Sequence, residues 1–63
     1  MTNITIPGTY ITLNEIRETL GEGADRERIK DYLSEQLNPN FFARMDALER
    51  CRMIEWCFHR LNP

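Results

Sequence analysis

Residues 39–60 read PNFFARMDALERCRMIEWCFHR, and the winding of this stretch decides the fold. After Pro39 it holds neither proline nor glycine, so the spacing predicts one long helix over 39–60. Asn38 is placed to cap it, proline is tolerated at a first helical position, and Leu37 and Phe42 stand where a hydrophobic staple would form. At about 100° per residue the stretch carries two apolar stripes, where a surface helix needs one. Ala43, Ala47, Cys51, Ile54, Phe58 and Leu61 make the first, and Phe41, Phe42, Met45, Leu48, Met53 and Trp56 make the second. Arg44, Asp46, Arg50 and Glu55 fall in the gaps, with Glu49 and Arg52 on the flanks of the second stripe.

Upstream, Thr12-Leu13-Asn14-Glu15 is a capping box, with Ile11 and Ile16 placed as its staple. It predicts a helix over 13–21 that glycine at 21 or 23 ends. A second helix is expected over 25–37, with Ile29, Tyr32, Leu33 and Leu37 along a narrow buried stripe and a mixed-sign solvated face opposite. Before the first helix, Ile4, Ile6, Tyr10 and Ile11 alternate with threonines around Pro7-Gly8, a pair suited to the centre of a type II turn. That pattern predicts an extended or β-hairpin arm; an unstructured terminus is the alternative. The reading is a mainly α fold: one domain over 1–63, with the arm over 1–11 and a three-helix core over 12–63.

A chain of 63 residues buries only about 60% of the surface that its unfolded form exposes. Such a core usually needs a disulfide, a metal or a second chain. Cys51 and Cys57 lie in the same predicted helix, about 9 Å apart along its axis, so no bridge between them is expected and a reducing, cytoplasmic setting follows. With His59 as the only histidine, no zinc site is expected, nor any cofactor. The amino-terminal residues lack the basic start and apolar run of a signal peptide, and no membrane-spanning segment is expected.

Self-association or a partner remains. Leu13, Ile16, Leu20, Ile29, Tyr32, Leu33 and Leu37 are enough to cover one stripe of the third helix. Either the arm covers the other, with the third helix central to the core, or a second chain does, because the patch exceeds what monomers usually expose. The expected function is therefore non-enzymatic: stoichiometric binding of a protein partner, as inhibitor or adaptor, by a homodimer or a monomer. Phe41, Phe42, Met45, Met53 and Trp56 are the expected contacts, with Glu49 and Arg52 at the rim. In size and composition alone, the chain is like the small phage or mobile-element proteins that block a host or defence complex.

Catalysis is disfavoured because Ser34 and His59 fall on separate helices without an orienting third group. Gly21-Glu22-Gly23 sets an acid where a phosphate would be repelled. The alternative function is a helix-turn-helix DNA-binding regulator, with Arg26, Arg28 and Lys30 on its recognition helix. Against it stand Asp25, Glu27 and Asp31 among those cations, the net charge of −2, and Arg17 where a small residue is wanted, so nucleic acid is not the expected partner.

Overall fold

The computed structural model describes residues 4–62. Among these are four helices, α1 (Leu13–Leu20), α2 (Arg26–Gln36), α3 (Pro39–Arg44) and α4 (Ala47–Leu61), and no strand. The mainly α class holds, while the expected third helix is two helices. Met1, Thr2, Asn3 and Pro63, at the ends of the predicted arm and core, lie outside the described residues.

The arm folds back at Pro7-Gly8. Gly8 takes φ 82°, and the Thr9 N–H donates to the Ile6 carbonyl at 3.0 Å, which is the pattern of a type II turn. Two further backbone bonds, Ile6 N–H to Ile11 O at 2.9 Å and Leu13 N–H to Ile4 O at 2.7 Å, flank an isolated antiparallel bridge between Thr5 and Thr12. This pairing is too short to make strands. Burial holds the arm in place, since Ile6 and Ile11 both belong to the core.

α1 begins as the capping box dictates. Glu15 N–H donates to Thr12 Oγ1 at 3.3 Å, and Thr12 N–H donates to a Glu15 carboxylate oxygen at 3.2 Å. Both staple residues, Ile11 and Ile16, are buried. The helix closes at Gly21, whose N–H donates to the Arg17 carbonyl at 2.8 Å.

α2 starts at Asp25, which accepts from Arg28 N–H at 2.9 Å, and it is the hub of the fold, packing on α1, α3 and α4. Ile29, Tyr32 and Leu33 are buried along it. Complete burial of Ile29 and Leu33 stabilises by about 1.5–3 kcal/mol each. The helix with the narrow apolar stripe is thus central, and the aromatic-rich segment packs around it.

That segment breaks at Met45-Asp46. Met45 is extended (φ −65°, ψ 142°), and the Asp46 carboxylate accepts from Glu49 N–H at 2.9 Å, capping α4. Arg50 turns back to satisfy the end of α3, donating to the carbonyls of Ala43, at 3.3 Å, and Met45. Because the turn phase restarts at Asp46, the predicted stripes do not run through. Met53, Cys57 and Leu61 form the buried edge of α4 and Phe42 that of α3, whereas Ala43, Ala47 and Cys51 are exposed. The far end of α4 is clamped to the α1–α2 turn. Gly23 N–H donates to Leu61 O at 3.3 Å, and Asn62 Nδ2 donates to the carbonyls of Ala24 at 3.0 Å and Phe58 at 3.1 Å. Among the described residues, no helix is long and apolar enough to cross a membrane.

Candidate interaction surface

The arm turn lies between two surface grooves. On one side, Ile6 and Pro7 face α4 and the α3–α4 corner across a groove of about 240 Å³, lined on that wall by Met45, Glu49, Arg52, Met53 and Trp56. On the other side, Thr9 and Tyr10 face α3 across a wider groove of about 580 Å³, where Phe41 and Arg44 stand beside Asn38 and Asn40.

Five of the seven expected contact residues thus meet in the first groove. They do so because residues three and four apart share a helix face and because Met45, at the corner, turns back toward that face. Trp56 is half-buried, and the Arg60 guanidinium lies 4.0 Å from the centre of its ring. Arg60 is fixed there by donating to the Trp56 carbonyl at 3.1 Å, and its own carbonyl accepts from Arg17 at 3.2 Å. Met53 is 9% exposed, so it forms the floor of the groove. Glu49 and Arg52 are exposed at its edge, and neither has an ion-pair partner among the described residues.

The two neighbouring phenylalanines part company. Phe41 is 46% exposed and lines the second groove, whereas Phe42 is buried in the core and lines neither. Phe42 is the staple residue of α3, and the two restraints of the corner, Asp46 and Arg50, fix α3 with that side inward. Tyr10 is 83% exposed and Leu48 59%. Tyr10 was not among the expected contacts, since its alternation with Ile11 reads equally well as arm packing. Arg44 has no ion-pair partner among the described residues, so the second groove is lined by a free cation as well as by two exposed aromatic rings.

The three cations of the DNA-binding alternative are separated by their surroundings. Arg26 pairs with Glu55 of α4, through a close Nε contact and an Nη2–Oε1 bond of 3.0 Å, and its guanidinium covers the Phe58 ring at 3.9 Å. That pairing raises the Arg26 pKa and holds the Glu55 carboxyl below its ordinary value. Lys30 stands 3.9 Å from Glu27, and Arg28 is exposed. Of the three, Arg26 alone is thus tied to α4, while Arg28 and Lys30 stay at the surface.

Ser34 and His59 stand on α2 and α4 with separate partners. The Ser34 hydroxyl donates to the Lys30 carbonyl at 2.9 Å, and His59 Nε2 lies 3.4 Å from Glu55. The cysteines are both free. Burial pushes the Cys57 thiol up to about 11, against a smaller opposing effect of Arg60, which leaves Cys57 an apolar core residue at neutral pH; Cys51 is exposed. Among the described residues no three His, Cys, Asp or Glu side chains come together as a metal site. No family model, no curated protein and no solved structure matches the chain.

Proposed function

We propose that the chain is a non-enzymatic protein-binding module, acting stoichiometrically as an inhibitor or adaptor on a larger protein complex. The observation that carries this reading is the aromatic surface left open around the arm turn. Tyr10, Phe41 and Arg44 line one groove, and Trp56 with Met45 lines the other. Aromatic side chains and arginine supply most hot spots in protein interfaces, and methionine adapts its shape to a partner.

The reading is tested by affinity capture from a cell lysate, with and without nuclease, using the parent chain and a variant with Tyr10→Ser and Phe41→Ser. Both positions are exposed, so the variant keeps its core. The expected result is a protein retained in both arms by the parent and lost by the variant. Capture that disappears with nuclease would overturn the reading and move attention to Arg28 and Lys30.

A further inference from the structure

Charge is unevenly placed along the chain. Residues 12–37 hold seven acids and four bases, whereas residues 38–62 hold three acids and four bases. Two of those three acids are engaged, Asp46 as the cap of α4 and Glu55 with Arg26. The half that carries Trp56 therefore presents free cations in a protein whose net charge is −2.

These cations gather around the one tryptophan. Arg52, Trp56 and Arg60 follow one another at intervals of four on α4, which sets them along one side of the helix, with the two arginines about 12 Å apart along its axis. Arg60 is held by stacking on the Trp56 ring at 4.0 Å and by donating to the Trp56 carbonyl at 3.1 Å. Arg17 of α1 reaches the same end of the stripe, donating to the Arg60 carbonyl at 3.2 Å. None of the three arginines has an ion-pair partner among the described residues. At the other end, Glu49 stands three positions before Arg52. From Glu49 to Arg60 the stripe thus reads acid, base, aromatic, base.

We infer that this stripe receives an acidic segment of a partner protein, with two carboxylates about 12 Å apart on either side of a large apolar side chain. The inference rests on the protein-binding reading and deepens it by naming the chemistry of the partner. Charge complementarity selects the occupant. A guanidinium matches a carboxylate with paired donors, and stacking on the Trp56 ring orients the Arg60 fork in advance. The apolar side chain between the carboxylates meets Trp56. A nucleic-acid strand fits less well, because its unbroken row of phosphates would also meet Glu49 and the net charge of −2 opposes it. A protein segment can end its acids at Arg52 and set a basic or neutral residue against Glu49.

Peptide display tests this. The target is the full chain with Tyr10→Ser and Phe41→Ser, which removes the two aromatic side chains of the other groove. Random dodecapeptides are selected on it, and the binding of the enriched sequences is measured by fluorescence anisotropy. They are expected to carry two Asp or Glu residues flanking a large apolar one. Adding Arg52→Glu, at an exposed position, should weaken their binding by roughly tenfold or more. A peptide whose facing acid is replaced by lysine should then bind the Arg52→Glu chain more tightly than the unreversed one. Arg28→Glu, which reverses an exposed cation on α2, should leave the affinity unchanged, and circular dichroism verifies that each variant is folded. The inference is overturned by enrichment of neutral or basic sequences or of none, by equal affinity with and without Arg52→Glu, or by tighter binding of an oligothymidine of the same length. Neutral or basic peptides on this stripe would remove the acidic partner and leave the protein-binding reading standing. Absence of any captured protein from the lysate would remove that reading itself.

Discussion

The stretch from Thr12 to Leu20 and the stretch from Asn38 to Leu61 obey the same local chemistry with opposite clarity. In the first, the cap and the apolar period agree. Thr12 and Glu15 satisfy each other's backbone donors, and of the residues that the period assigns to the core, Leu13 and Ile16 are buried and Leu20 packs partly buried against the core. In the second, the apolar period runs unbroken across Asp46 while the Asp46 carboxylate starts a new helix. The cap prevails because it satisfies a backbone donor of α4, while Arg50 satisfies two carbonyls left open at the end of α3. A continuous helix would bond those backbone groups internally but would gain neither the cap nor the corner that turns Phe42 onto the core. Where polar caps and apolar periodicity compete, the caps decide boundaries and the period is meaningful only between them.

Adjacent phenylalanines offer the sharpest way to break this comparison. Phe42→Ala is expected to lose about 3–5 kcal/mol of stability in urea unfolding, the range for emptying a buried aromatic site. Phe41→Ala should lose about 1 kcal/mol or less, because its ring is already half in water. Equal losses would mean that the corner does not lie at Met45-Asp46.

The core edge of α4 is tested by alkali. The Cys57 thiol titrates near 11 in the fold against about 8.5 for a free thiol, so its contribution is fully present below the free value and is lost as pH rises toward 11. The expected loss across that window is about 3 kcal/mol, and Cys57→Ala should remove that part of the slope. If the slope persists unchanged in Cys57→Ala, other groups govern the alkaline limb.

Smaller effects sharpen the two caps. Thr12→Ala and Asp46→Ala should each cost about 1 kcal/mol. In a continuous helix, Asp46→Ala would instead stabilise, since alanine is the better interior residue. The smallest effect belongs to the Arg26–Glu55 pair, which is largely in solvent and therefore contributes little. Glu55 titrates below its ordinary value, so the pair stabilises above the usual glutamate range and that contribution is lost as pH falls through the lower folded value. The difference in melting temperature between neutral and acidic pH should shrink in Glu55→Gln; an unchanged difference would show that the pair adds no measurable stability.

Much of this was legible in advance for physical reasons that lie close together in the chain. Thr12 with Glu15 and Asn38 before Pro39 each act over no more than three or four residues. The staples at Ile11 and Ile16 and at Leu37 and Phe42 are buried as expected, and Pro7-Gly8 turns because glycine tolerates positive φ. Glu49, Arg52, Met53 and Trp56 could be grouped from spacing alone, since one helix face holds them whatever lies beside it. Asp46 carried the same type of signal as Thr12, an acceptor side chain with glutamate three positions on, and it was masked by the apolar run around it.

Sequence alone was therefore sufficient for the mainly α class, the capped starts of α1 and α3, and the grouping of residues that line the Trp56 groove, since all of these follow from interactions within a turn or two of helix. It was not sufficient for the direction each face points. Periodicity sets angles between residues of one helix but not the rotation of that helix toward its neighbours, and this phase restarts at every cap. Only the packing of α1, α3 and α4 on α2 settled that Phe42 and Met53 turn inward, that Arg26 is held by Glu55, and that the arm lays Ile6 beside Trp56 while leaving Tyr10 in solvent.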